Sequence, residues 1–381
     1  MSEYQYYEWQ TVDRLLTTEE KEAVENLSSH IEVNSSSAVV TYDWSDFRHD
    51  PKQVLLKYFD AFFYFANWGS LQLMFRFPKG LIEEGDIFPY CMDEIISFET
   101  IGKYQILDLD FSSEDGESLK YEASLADFIH LRTDILEGDY RLLYLAWLKS
   151  ESREEYPDFD EEPEDDDSKI AKYIREPPVP AGLKKLTPSL KNFVRVFGIN
   201  PFLVQAAAEK SPDIHKPQTL AYRDLIGRLT QGERDDFLLR LAEGEPNVGI
   251  ALRKHLSLFM PSENPQRSKP RTIKQLIKRA KQLEGAAKSR QLEFDRKRHI
   301  NEMRELAKRE EQAWQQVETL LDNGRRIASV YDWATSMLEQ LKQLSEFQNT
   351  QAVFQGRLNQ LAEKYASRPA LIERWKRQHW L

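Results

Sequence analysis

The chain has 381 residues, 41% hydrophobic and 30% charged, with one cysteine and 52 Lys+Arg against 63 Asp+Glu for a formal net charge of −11. That length predicts two or three domains of about 100–200 residues each, and the single thiol, Cys91, excludes a disulfide framework and a zinc site built on two or more thiolates. The opening MSEYQYYEWQ has neither a basic n-region nor an apolar h-region, and no apolar run reaches the ~18 residues of a bilayer span, so a soluble, cytoplasmic protein with no membrane partner is expected.

In chain order, residues 1–150 predict an α+β domain. Residues 4–12 are rich in aromatic and β-branched side chains and predict a first strand. Thr17 and Thr18, followed by Glu19, Glu20 and Glu22, mark a helix start. Residues 31–44 predict a second strand region, broken by Asn34-Ser35-Ser36-Ser37. Asp50-Pro51 then opens a helix, whose apolar positions Val54, Leu55, Tyr58, Phe62, Phe65 and Ala66 suggest one wide buried face ending at Gly69. Leu71, Leu73 and Phe75 alternate into a strand that Pro78 closes. Residues 95–98 and 104–111 predict paired strands, and helices over 125–136 and 140–148 complete the domain. The mixture favours a mixed or antiparallel sheet with helices on one face.

Residues 151–182, with ESREEYPDFDEEPEDDDS and then EPPVPAG, predict an acidic, proline-containing linker that cannot bury enough apolar area to order itself. Residues 183–262 predict a small bundle of short helices, two of them opened by Thr187-Pro188 and Asn200-Pro201. Residues 263–381 predict an all-α region: a long basic helix and a C-terminal helical hairpin. From Arg271 to Leu321 there is no proline and one glycine, Gly285, so an unbroken helix would reach about 75 Å. Ile273, Leu276, Ala280, Leu283, Ala287 and Phe294, then Met303, Leu306, Ala313, Val317 and Leu320, form a narrow stripe like a coiled-coil seam, weak between Arg290 and Ile300. Further helices are expected over 327–344, 351–366 and 369–380.

The charge is polar along the chain. Residues 1–168 hold 13 Lys+Arg and 39 Asp+Glu, whereas residues 169–381 hold 39 and 24. Such asymmetry points to an internal acidic–basic contact, to separate partners for the two ends, or to two solvated surfaces of opposite sign. Between Arg267 and Arg309 lie 15 basic and 5 acidic residues. Lys274, Lys278, Arg279 and Lys281, with Arg296, Lys297 and Arg298, are the candidate contacts for a partner or for a phosphate backbone. No aromatic interleaving or DNA-reading motif accompanies them.

Catalytic motifs are missing: there is no glycine-rich phosphate loop, no G-x-S-x-G and no H-E-x-x-H, and seven histidines are scattered singly. Cys91, between Tyr90 and Met92, suits a buried structural thiol. Asp108 and Asp110 alternate on one strand face, a spacing that could hold a divalent metal; an ordinary half-exposed edge strand accounts for the same alternation. Asp43, Asp46, His49 and Asp50 form a second group, acids with a histidine before a helix, that could act in catalysis; helix capping and turn chemistry account for Asp46 and Asp50.

Several segments, YQYYEWQTVDRLLT (4–17), the helix YFDAFFYFANWG (58–69), GDYRLLYLAWL (138–148), LLRLAEGEP (238–246) and SRPALIERW (367–375), resemble a family of uncharacterised bacterial proteins. The resemblance runs the length of the chain and implies a shared fold; it brings no activity, cofactor or catalytic residue. The expectation is therefore a non-enzymatic, multidomain adaptor without a cofactor, acting through its charged helical arm on a protein partner. Alternatives are a homodimer seam in the long helix, sequence-nonspecific nucleic-acid association through residues 271–309, and a metal-dependent enzyme using Asp108 and Asp110.

Overall fold

The computed structural model describes residues 4–111, 123–152, 175–214, 222–259, 270–323 and 327–381. The chain forms two compact units, Met1–Glu284 and Gly285–Leu381. Most of the acidic run of the expected linker lies at 153–174, outside the described residues, as do residues 324–326 after Asn323.

The first unit is built on strands β1 (Tyr4–Gln10), β2 (Glu32–Val33), β3 (Ser37–Asp43), β4 (Ala61–Ala66), β5 (Leu71–Pro78), β6 (Ile96–Ile101) and β7 (Tyr104–Asp110). They form one seven-stranded sheet in the order β2-β3-β1-β4-β5-β7-β6, with every neighbouring pair antiparallel. Side chains alternate across it. On one face Tyr7, Trp9, Val40, Phe62, Met74 and Ile106 pack with Val24 of α1 (Thr18–Glu25) and Val54, Leu55 and Tyr58 of α2 (Pro51–Tyr58). On the other, Phe63, Leu73, Phe75, Leu107 and Leu109 meet Leu131 and Ile135 of α4 (Ile129–Leu136) and Leu143 and Trp147 of α5 (Arg141–Glu151). A short helix, α3 (Glu84–Ile87), precedes β6. Helices therefore cover both faces, not the one expected.

The same second core takes in Leu190 and Phe193 of α6 (Pro188–Val196), Leu203 and Ala206 of α7 (Pro201–Ala208), and Ile273, Leu276 and Ala280 from the start of α11 (Ile273–Lys308). A small cluster of Leu225, Leu229 and Leu256 joins α8 (Tyr222–Arg228) to α10 (Val248–Ser257), with α9 (Gln231–Ala242) between them in sequence. The caps follow the sequence signals. Thr17 and Glu20 form a reciprocal capping box, and Asp50 accepts from the Lys52 N–H at 2.8 Å. Thr187 and Asn200 cap α6 and α7.

The helix expected across residues 51–66 is corrected. α2 stops at Tyr58, Phe59 is already extended (φ −124°, ψ 173°), and Ala61–Ala66 is strand β4. Asp60 lies at the junction, buried. Its Oδ2 accepts the N–H groups of Val12 (2.7 Å) and Asp13 (3.1 Å), and its Oδ1 takes Arg76 Nη2 at 2.8 Å. Arg132 of α4, also buried, binds both carboxylate oxygens of Asp13 at 3.1 and 2.8 Å and donates Nε to the Arg76 carbonyl. Burial works against the Asp60 charge, but Arg132 and Arg76 outweigh it and hold the carboxyl below its ordinary range.

The second unit is all helix. α11 is 36 residues long and ends at Lys308; α12 (Glu310–Asn323) follows after a turn at Arg309, so the helix expected from 271 to 321 is interrupted. No proline or glycine marks that turn; Met303 and Leu306 before it and Ala313, Trp314 and Val317 after it enter one core. α13 (Ala328–Gln348), α14 (Gln351–Lys364) and α15 (Pro369–Arg377) complete that core with Leu338, Leu341, Phe354, Leu358, Leu371 and Trp375. Among the described residues no helix is long and apolar enough to cross a membrane.

Replacing Asp60 with asparagine removes the charge that both arginines face, and should cost about 3 kcal/mol at pH 7, the scale for breaking a buried pair from one side. Because the folded carboxyl sits below its unfolded value of about 3.9, the difference from wild type should be full above that pH and shrink as pH falls through the lower, folded value. Denaturant midpoints across pH 2–7 read this directly. Leu276 is fully buried in the first unit, so Leu276→Glu should lower the melting temperature by about 10 °C, the effect of several kcal/mol on a domain this size, with solution mass unchanged. A variant that keeps its melting temperature but loses a dimer would place Leu276 between chains instead.

Candidate functional site

Two places bring the sequence candidates together, one in each unit. In the first, β7 carries Asp108 and Asp110. It is not an edge strand, as the alternative account of the alternation assumed: β5 and β6 flank it, and Ile106, Leu107, Asp108 and Leu109 are all buried. The register sets Asp108 between Met74 of β5 and Ser97 of β6. α2 passes over this end of the face and delivers Lys52, whose Nζ lies 3.4 Å from Asp108 and 2.6 Å from Glu99. Gln72 donates to Asp108 Oδ1 at 2.8 Å. Burial raises the Asp108 carboxyl above its ordinary value, and the Gln72 hydrogen bond and the Lys52 charge only partly offset this.

The polar surface continues along the same face. Tyr7 and Tyr64 both donate to Gln5 Oε1, at 2.7 and 3.0 Å, and Gln5 Nε2 donates to Asp46 Oδ1 at 2.7 Å. Burial pushes the Tyr7 hydroxyl up to about 12. Gln5, Tyr7, Tyr64 and Asp46 thus satisfy one another, and the Lys52 cation partly offsets the charge of the buried Asp108. Among the described residues no group of three or more His, Cys, Asp or Glu is arranged to hold a metal ion. The second acidic group is dispersed: Asp50 caps α2, Asp46 serves Gln5, and Asp43 ends β3. Cys91 is half-buried, its Sγ 3.7 Å from the Ile87 carbonyl, and burial raises its thiol.

The basic candidates divide between the units. Lys274, Lys278, Arg279 and Lys281 lie on the first unit's part of α11, where Arg279 grips Glu209 through Nε (2.9 Å) and Nη2 (2.7 Å). Arg296, Lys297 and Arg298 lie on the second unit's part, all exposed. Lys297 pairs with Glu293 at 2.6 Å, one turn back, and Arg298 reaches Asp295 (3.2 Å) and Glu302 (3.8 Å). Such three- and four-residue pairs stabilise a helix that has little else to pack on.

Lys297 and Arg298 also line a groove of about 810 Å³ between α11 and α13. Phe294, Met303 and Leu306 give it an apolar floor; Arg309, Glu302, Glu305, Gln340 and Gln343 give it a polar rim. Gln340 and Gln343 carry no sequence signal, because glutamine on an exposed helix face is ordinary. From Gly285 to Glu302 not one residue is buried, yet Leu292 is 71% and Phe294 60% exposed. No family model matches this chain, nor does any curated protein or solved structure.

Asp108→Asn removes a buried charge while keeping an acceptor for Gln72. Since the folded Asp108 carboxyl titrates above its unfolded value, wild type should gain stability relative to the variant as pH falls from 7 towards 4. Paired thermal melts across that range test the sign.

Proposed function

We propose that the protein is a non-enzymatic adaptor that docks a protein partner along the second unit's part of α11 and the groove it forms with α13. The observation that carries this reading is the pairing of an unburied helix stretch, Gly285–Glu302, with two strongly exposed apolar side chains, Leu292 and Phe294. A polar helix held by its own ion pairs has no need of a leucine and a phenylalanine in water. Phe294 lines the polar-rimmed groove, and a large apolar group so placed has the anatomy of a docking surface. Nucleic-acid association through residues 271–309 remains the second reading, carried by the excess of basic over acidic side chains. Intrahelical acids already engage Lys297 and Arg298, which favours the protein partner.

The test is affinity purification of the full chain from its own cells, comparing wild type with Leu292→Asp/Phe294→Asp and with a control, Phe347→Asp, outside the groove. A stoichiometric protein lost at least tenfold from the double variant and kept by the control is the expected result. Equal recovery with all three, or no stoichiometric protein, overturns the reading. A chain that binds duplex DNA or RNA with affinity falling steeply between 50 and 200 mM salt, and that loses it on Arg296→Ala/Lys297→Ala/Arg298→Ala, moves the second reading into first place.

A further inference from the structure

Strand β3 outruns its outer neighbour. It lies along β1 from Ser37 to Asp43, but β2 pairs only with Ala38 and Val39. The Asn34 N–H donates to the Ser37 carbonyl at 2.8 Å, and from the other side the Thr11 N–H donates to the Ser36 carbonyl at 2.8 Å. Alternation along the strand then turns the main-chain groups of Val39, Thr41 and Asp43 towards the β2 side, and those of Ala38, Val40 and Tyr42 towards β1. Before β2 the chain makes a turn, in which the Ile31 N–H donates to the Ser28 carbonyl, so no residue stands opposite Thr41 and Asp43. Among the described residues no hydrogen bond reaches their outward N–H and carbonyl groups.

A cleft of about 560 Å³ opens along this edge, between residues 29–32 and 41–45. His30, Glu32, Thr41 and Asp43 line it, all four exposed. Its charge has one sign. From Glu22 to Phe47 the chain carries Glu22, Glu25, Glu32, Asp43 and Asp46 and not one lysine or arginine. Among the described residues none of these five acids has an ion-pair partner, and only Asp46 takes a side-chain hydrogen bond, from Gln5. Trp44 follows β3, 67% exposed and with φ +81°, a backbone conformation that bulky residues adopt only where their surroundings impose it. Gln5 imposes it: its Nε2 donates to the Ser45 carbonyl at 3.0 Å and to Asp46 Oδ1 at 2.7 Å. An open strand edge invites another strand. A second copy of this edge would set Glu32 and Asp43 against their own kind, which disfavours self-pairing.

We infer that the open edge of β3 is a docking site for an extended, cationic segment of a protein partner. The segment adds a strand to the sheet beyond Val39, and its main-chain groups pair with those of Thr41 and Asp43. Its Lys or Arg side chains meet the Glu32 and Asp43 carboxylates, and the Trp44 ring offers a cation a face to stack on. The surface belongs to the first unit and stands independently of the α11 groove.

The experiment uses the full chain and three fluorescein-labelled nine-residue peptides. One alternates lysine with valine; the second is the same peptide with its main-chain amides methylated, which keeps the charge and removes the strand donors; the third carries glutamate in place of lysine. Anisotropy titrations at ~150 mM salt, where charges are screened beyond about 8 Å, compare wild type, Glu32→Gln/Asp43→Asn, and Asp165→Asn/Asp166→Asn, a change of equal charge in the acidic run. Circular dichroism checks that the fold is retained. The expected result is at least tenfold tighter binding of the unmodified lysine peptide than of either other peptide, at least tenfold weaker binding by Glu32→Gln/Asp43→Asn, and no change with Asp165→Asn/Asp166→Asn. Lysine-peptide binding that survives Glu32→Gln/Asp43→Asn, or falls equally in both variants, is general attraction to acidic groups and overturns the inference. A wild-type chain that does not prefer the unmodified lysine peptide to the methylated one forms no strand with it, which also overturns it. So does a wild-type dimer that the lysine peptide dissociates, which would put a second copy on the edge.

Discussion

The carboxylate of Asp60 meets two arginines that belong to different layers of the first unit. Arg76 comes from β5 and aligns with Ile106 on the α2 side of the sheet, while Arg132 comes from α4, whose apolar residues pack on the other side. Arg132 lies 3.9 Å from Asp60, holds Asp13 with both terminal nitrogens and closes on the Arg76 carbonyl; Arg76 also donates to the Leu56 carbonyl at the end of α2. One charged group thus fixes the exit of β1, the end of α2, the start of β4, the middle of β5 and the approach of α4. Buried ions are costly unless they are paired and hydrogen-bonded. Here the oxygens of Asp60 accept two backbone N–H groups and an arginine, so the cost is offset only when all five elements are in place. The apolar sheet could tolerate small shifts; this network cannot.

A second buried pair does the same for the helical layer. Arg271, just before α11, binds both oxygens of Glu176 at 2.6 and 2.8 Å and caps the C-terminal end of α7 through the Ala206 and Ala207 carbonyls. Tyr144 of α5 donates to the same carboxylate, and burial and that negative charge drive its hydroxyl far above the ordinary phenol value. The Glu176 N–H returns to the Arg271 carbonyl at 2.8 Å. The start of the long helix is therefore set by contacts with residues 65 and 95 positions earlier.

That distance explains much of what sequence could and could not reveal. Local chemistry was legible: the Thr17 capping box, Asp50-Pro51, Thr187-Pro188 and Asn200-Pro201 start helices where they were expected, and the α+β region precedes an all-helical one. The failure at residues 59–66 has a specific cause. β4 lies in the interior of a sheet covered on both faces, so its run AFFYFA is apolar at nearly every position and shows no alternation. A short continuous apolar run cannot be told from a buried helix by periodicity, and the residue that decides the matter, Asp60, does so through Arg76 and Arg132. The stripe on α11 was read correctly as apolar but not by destination: Ile273, Leu276 and Ala280 enter the first core, and Met303 and Leu306 the second. Of the site, Lys297 and Arg298 were visible as charge, whereas Lys52 beside Asp108 and Gln340 beside the groove are set by packing alone.

Polar groups in the sheet and apolar groups outside the cores are treated differently. On the sheet, Asp108 meets Gln72 and Lys52 of α2, and Gln5 meets Tyr7 and Tyr64; such polar networks rigidify a fold. Outside the cores, leucine and phenylalanine face water on α9 and α11. Apolar anchors supply most of the affinity at an interface, while the charges around them govern encounter rate and choice of partner. In the proposed reading Phe294 of α11 is such an anchor, and Lys297 and Arg298 are the charges beside it.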